Sequence, residues 1–126
     1  MPIDPPRIST ARAALLAKIA RHLDAIEAEM KRIDYWQVEP PAQLLERLKA
    51  GETLSFTGSG ISFEQYLQLV FLPNARRRVS DDNLPASSNM GVIAMRQYDY
   101  HSYVEEAQPL LSLFRELDRL INGARR

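Results

Sequence analysis

Arg76, Arg77 and Arg78 stand in a row after the stretch "SFEQYLQLVFLPNA", and guanidinium groups in series are well suited to gripping phosphate. A second concentration of chemistry lies in "YDYHSY", Tyr98 to Tyr103. Here Tyr98, Tyr100 and Tyr103 could stack on the bases of a single-stranded nucleic acid, and Asp99 near His101 has the minimal make-up of a general base. Gln65 and Gln68 are further polar side chains that could line a pocket with Asp99 and His101.

Each grouping also has a plainer reading. Three consecutive helical residues fan through roughly 200° at 3.6 residues per turn, so the arginines cannot form one flat patch. They also fall where cations suit a helix C-terminus, close to Asp81 and Asp82. The favoured reading is a water-facing helix end, with anion or RNA binding and protein contact as the alternatives. For the tyrosines, the plainer reading is a loop that packs its rings inward and exposes its hydroxyls. His22 has no second ligand at metal spacing, and the chain has only 2 histidines. No metal, no cofactor and no catalytic constellation is therefore expected. Trp36, the one tryptophan, is expected to plug the end of a bundle, with a partner-binding hot spot as the alternative.

The elements that must position these residues are helices. Ser9 or Thr10 can cap a first helix running to about Asp34, whose Leu16, Ile19, Leu23, Ile26, Met30 and Ile33 recur at alternating spacings of three and four. Pro41 suits the start and Gly51 the end of a short helix carrying Leu44, Leu45 and Leu48. "ETLSFTGSG" reads as an irregular connection with a brief extended piece at Leu54 to Thr57. Ser62 and Gln65 form a capping box for a central helix that is apolar nearly all round, which marks it as buried. Pro73 removes a backbone donor and kinks or ends that helix, with one further turn expected through Val79. After a turn-rich loop, a short helix is expected over Met90 to Tyr98, with Val92, Ile93 and Met95 as its contacts. The last helix is expected to open with a capping box of Ser102 and Glu105 and to run a seam of Tyr103, Ala107, Leu110, Phe114, Leu117 and Ile121 to Gly123.

The fold class is all-α, a four-helix-bundle-like single domain with long first and last helices and a buried, proline-terminated central helix. Residues 1–8, with Pro2, Pro5 and Pro6, are expected to form a loose arm, 9–123 the bundle, and 124–126 a frayed end. Sixteen Lys and Arg balance 16 Asp and Glu, so no global charge pulls the chain toward nucleic acid or an anionic membrane. The absence of cysteine excludes disulfides and thiolate metal sites. Without an apolar signal core or membrane-length segment, a cytoplasmic location is the default expectation.

"FEQYLQLVFLP", followed about a dozen residues on by a second "LP", with a Trp and prolines upstream and "LDRLIN" near the end, resembles the YqcC-like family of small bacterial helical proteins. The resemblance covers roughly Leu23 to Asn122. It is carried by Trp36, Phe56, Phe63, Glu64, Gln65, Tyr66, Leu67, Gln68, Val70, Pro73 and Pro85. Tyr66, Leu69 and Asn74 stand where relatives commonly have Trp, Phe and Arg. The resemblance implies a four-helix-bundle-like protein without assigned activity, associated with tRNA pseudouridine synthase C. The functional expectation is a non-catalytic accessory or interaction protein in a tRNA pseudouridine-modification context, with that synthase or another protein as partner. The alternative is a direct RNA-binding module using Arg76 to Arg78 and the tyrosines around His101. Homodimerisation through the Phe71 and Leu72 surface stays open.

Overall fold

Ser9 opens the first helix as its hydroxyl predicts: Oγ accepts the backbone N–H of Arg12 at 3.0 Å. The computed structural model describes residues 9–58 and 60–124. The expected arm at 1–8 and the last two arginines lie outside the described residues. Helix α1 spans Thr10–Arg32 and buries Leu16, Ile19, Leu23, Ile26 and Met30, the seam read from their spacing. It closes with Asp34 in the left-handed region (φ 64°), where Tyr35 N–H reaches back to Met30 O and Asp34 N–H to Lys31 O. Aspartate tolerates that backbone better than most residues, though less freely than glycine.

Helix α2, Ala42–Lys49, ends with the same pair of reverse bonds around Gly51 at φ 80°, the role expected of that glycine. It buries none of its residues. Leu54 to Thr57 pairs with no strand, and among the described residues there is no sheet. Leu54 instead turns inward to 2% exposure, and Phe56 packs its ring on Phe63 and Tyr66.

The central helix is built in three parts. The capping box of Ser62 and Gln65 forms in full at the start of α3, Phe63–Tyr66. A π-helical turn follows over Leu67–Phe71, where Leu72 N–H bonds Leu67 O five residues back. Pro73 then sits in the first turn of α4, Leu72–Ser80. A proline supplies no N–H to the carbonyl four residues before it, and the widened turn lies where that bond is lost. Helical structure thus continues past Pro73 to Ser80, one residue beyond the expected Val79.

Burial of the central helix is one-sided. Phe63, Leu67, Gln68 and Leu72 are buried, while Tyr66, Leu69, Val70 and Phe71 are only half-covered. The innermost helix is α6, Gln108–Gly123, which packs against both α5 (Met90–Tyr98) and α1. Its Leu110, Leu111, Phe114 and Leu117 have no exposed surface. The expected contacts of α5 shift in part. Ile93 and Met95 pack against the core as expected and Val92 faces water, but the fully buried positions are Met90, Gly91, Ala94 and Tyr98, because the small residues let α5 approach α6 closely. A Cβ on Gly91 would lie 2.9 Å from Arg115 Cγ.

The expected capping box at Ser102 does not form. Asp99 and Tyr103 make an isolated antiparallel bridge, Val104 N–H bonds Tyr98 O at 2.9 Å, and a 3-10 turn at Glu105–Ala107 leads into α6. Pro109 in the first turn of α6 sets the start, so Tyr103 is left exposed rather than joining the seam. The all-α bundle with long first and last helices is as read from the sequence.

Candidate functional site

The central helix grips the connection after α1. Gln68, buried, accepts the backbone N–H of Gln37 at 2.8 Å and donates Nε2–H to Gln37 O at 2.7 Å. Gln65 donates to Gln37 Oε1 at 3.2 Å while its own Oε1 accepts Ser62 N–H in the capping box. The two glutamines therefore act on one short segment, Tyr35 to Val38. That segment carries Trp36, half-buried against the core, with Lys31 Nζ 5.1 Å from its ring centroid.

Glu64 completes the same region by accepting the hydroxyl of Tyr98 at 2.6 Å. Tyr98 is buried and packs against Phe63 and Tyr35, with ring centroids 5.7 and 5.9 Å away. Burial first, and the bond to Glu64 second, push its phenol far above the ordinary tyrosine range. Tyr35 donates its hydroxyl to Glu106 at 3.1 Å, and burial with that bond raises its pKa to about 12. Tyr100 and Tyr103 are exposed at 68% and 65%, and His101, also exposed, packs edge-on against the Tyr100 ring. Of the three clustered tyrosines, one is core and two face water.

A cleft of about 210 Å³ opens at this end, lined by Asp34, Tyr35, Trp36, Gln37, Ser62, Glu64 and Gln65. Trp36 and Asp34 also border a second space, about 440 Å³, with Lys31 and with Val38, a residue 90% exposed.

The arginines belong to the other end. Arg76 lies thirteen residues beyond Phe63 on a helix rising about 1.5 Å per residue, which puts about 20 Å between it and the Tyr98 environment. Arg76 bridges to α1 through Asp24 (2.6 Å) and Glu27 (2.9 Å). Hydrogen bonds from Lys31 and Arg76 hold Glu27 below the usual carboxylate range. Arg77 bonds Asn74, and Arg78 Nε donates to Asn83 O at 2.8 Å. The triplet is splayed, as its helical spacing requires, and Arg78 borders a cleft with Pro85 and Met90 rather than the one at Tyr35 and Trp36.

Pro85 borders a different cleft, about 310 Å³, floored by Ile19, Leu23, Phe71, Val79 and Met90 with Arg78 at its rim. His22 points its ring at α6, where Nε2 lies 2.7 Å from the carbonyl oxygen of Leu113. A carbonyl only accepts, so that nitrogen carries the proton. Among the described residues no group of His, Asp and Glu could hold a metal ion, and no helix is long and apolar enough to cross a membrane.

Sequence reasoning passed over Asp118 and Asn122. Asp118 accepts Ser88 Oγ–H at 2.5 Å, Met90 N–H at 2.9 Å and Gly91 N–H at 2.7 Å, so α6 caps α5 from outside. Asn122 pairs with both backbone groups of Ser88. The signal was their spacing of four in "LDRLIN", which puts both on one helix face.

A family model, DUF446, described as tRNA pseudouridine synthase C, matches residues 18–120. Its description names the same enzyme that the sequence resemblance associates with such chains. No curated protein and no solved structure matches the chain at a significant level.

Proposed function

This chain belongs to the DUF446 family, and on that premise we propose that it is a non-catalytic accessory protein that works beside a tRNA pseudouridine synthase by binding protein. The observation that carries the reading is where the motif's polar side chains go. Glu64, Gln65 and Gln68, which in an enzyme would meet substrate, bond Tyr98, Ser62 and Gln37 of their own chain. Their task is to hold Trp36 and its neighbours in place, which suits recognition better than turnover. Exposed Tyr100, Tyr103 and Val38 near the same end supply the surface that such recognition uses.

Two assays test the reading. The tagged chain is expected to retain tRNA pseudouridine synthase C at micromolar concentration, and the chain alone is expected to form no pseudouridine in tRNA. Failure to retain the synthase, or pseudouridine formed by the chain alone, overturns it.

Direct RNA binding is the second reading, favoured by one observation. Arg77 and Arg78 are exposed, their hydrogen bonds go to neutral groups, and neither forms an ion pair among the described residues. Such a site predicts tRNA binding at low salt that falls steeply with added salt and with Arg77→Ala and Arg78→Ala together. Unchanged affinity in the double variant removes this reading.

A further inference from the structure

The cleft beside Trp36 combines two chemistries that together recognise a cation. Its lining residues include the aromatic Tyr35 and Trp36 and the acidic Asp34 and Glu64. Aromatic faces attract guanidinium and ammonium groups through their quadrupoles, and a carboxylate in the same cleft fixes the charge. The Asp34 carboxylate makes no hydrogen bond or ion pair among the described residues, and Glu64 has one oxygen engaged by Tyr98. The left-handed turn at Asp34, locked by Tyr35 N–H to Met30 O at 2.7 Å, puts Asp34 and Trp36 on the lining of one cleft. Lys31, 5.1 Å from the Trp36 centroid, already makes one such cation contact within the chain.

The surroundings extend the same character. The turn that carries exposed Tyr100 and Tyr103 also carries exposed Asp99, and Glu105 and Glu106 follow it. Tyr35 reaches Glu106 across the gap, so this turn and the cleft adjoin. Nearby Lys31 and Arg32 are paired with Glu27 and Glu29 on their own helix, and Arg96 is exposed two residues before Tyr98 on α5. An anionic end carrying aromatic rings repels phosphate and favours Arg and Lys.

We infer that this end of the bundle binds an arginine-rich segment of a partner protein, with one arginine seated in the cleft of Asp34, Trp36 and Glu64 and flanking residues on Tyr100 and Tyr103. The inference rests on the reading that the chain acts by binding protein. It adds the partner's chemistry, and it assigns this end to protein rather than RNA. A volume of about 210 Å³ suits one long side chain rather than a larger ligand.

Trp36, as the single tryptophan, reports directly on its own site. The probe is a peptide of alternating arginine and glycine, titrated into the full chain while Trp36 emission is followed. Controls are an alternating glutamate and glycine peptide and an oligouridylate. The expected result is a saturable change with the arginine peptide alone, weakened by added salt. Asp34→Asn keeps a residue that tolerates the left-handed turn, and Tyr100→Ser with Tyr103→Ser alters exposed side chains only. Each change is expected to weaken the peptide by about fivefold or more while leaving the melting temperature near that of the parent. No emission change with the arginine peptide, equal binding of the glutamate peptide or oligouridylate, or undiminished affinity in both variants overturns the inference. Synthase retained by a chain carrying all three substitutions as well as by the parent overturns this surface while the accessory reading stands. Arginine peptide bound with no synthase retained has the opposite meaning.

Discussion

Gln68 and Gln37 meet as a side chain paired with a backbone: the amide of one accepts the N–H and donates to the C=O of the other, at 2.8 and 2.7 Å. A buried glutamine thereby takes the place of a neighbouring strand and makes an irregular segment as definite as a helix. Gln68→Leu removes both bonds and strands the polar backbone of Gln37. We expect a loss of about 2 kcal/mol in urea unfolding and a red shift of Trp36 emission, since the segment holding the ring is released. Gln65→Ala, in an exposed capping box, is expected to cost about 1 kcal/mol.

Asp118 and Gly91 form the second such joint. Asp118→Ala leaves Met90 N–H, Gly91 N–H and Ser88 Oγ–H without their acceptor, so thermal unfolding is expected to show a loss of about 2–3 kcal/mol. Gly91→Ala drives a methyl group toward Arg115 and Asp118, with contacts of 2.9–3.2 Å, and is expected to cost about 1–3 kcal/mol. The two together should cost less than their sum, because both loosen one α5–α6 contact.

Asp34 holds a left-handed backbone that glycine adopts more freely. Asp34→Gly is expected to leave stability unchanged or raise it by up to about 1 kcal/mol in urea unfolding, while removing the carboxylate from the Trp36 cleft. A loss above about 1 kcal/mol would mean the carboxylate holds the fold.

Alkaline stability follows from the buried tyrosines. Tyr35 and Tyr98 have folded-state pKa values above the ordinary 10.0, so the neutral phenols are favoured by folding. Their contribution is complete below pH 10 and is lost as pH rises through the folded value, about 12 for Tyr35. Tyr98→Phe should flatten the fall in stability above pH 10 in unfolding curves measured across that range. At the acid end Glu27 has the opposite sign. Its folded pKa is lowered, so its contribution is present above 4.5 and is lost as pH falls below that. Arg76→Ala should reduce this acid-side slope.

How much of this was legible in advance depended on the range of each interaction. Ser9, Ser62 with Gln65, and Gly51 act on backbone within five residues, and each took the role its type and position announced. The seam of α1 was legible because every third or fourth residue had to be apolar. What escaped was set by partners far along the chain. Ser102 and Glu105 have the capping pattern, but the bridge of Asp99 to Tyr103 and the start imposed by Pro109 override it. On α5, Ile93 and Met95 were legible as core contacts, but the deepest positions were not, because Gly91 and Ala94 count as buried only once α6 lies against them. Gln65 and Gln68 were visible as polar residues in an apolar run, yet nothing local says that both aim at Gln37, whose residue number is 31 lower than that of Gln68. The arginine triplet was the reverse case, since helical geometry alone required it to splay.

The accessory role is tested most directly by binding of purified tRNA pseudouridine synthase C to the full chain, followed by calorimetry. Our account predicts a saturable complex at micromolar concentration that added salt weakens. Absence of heat and of co-elution at that concentration would contradict it.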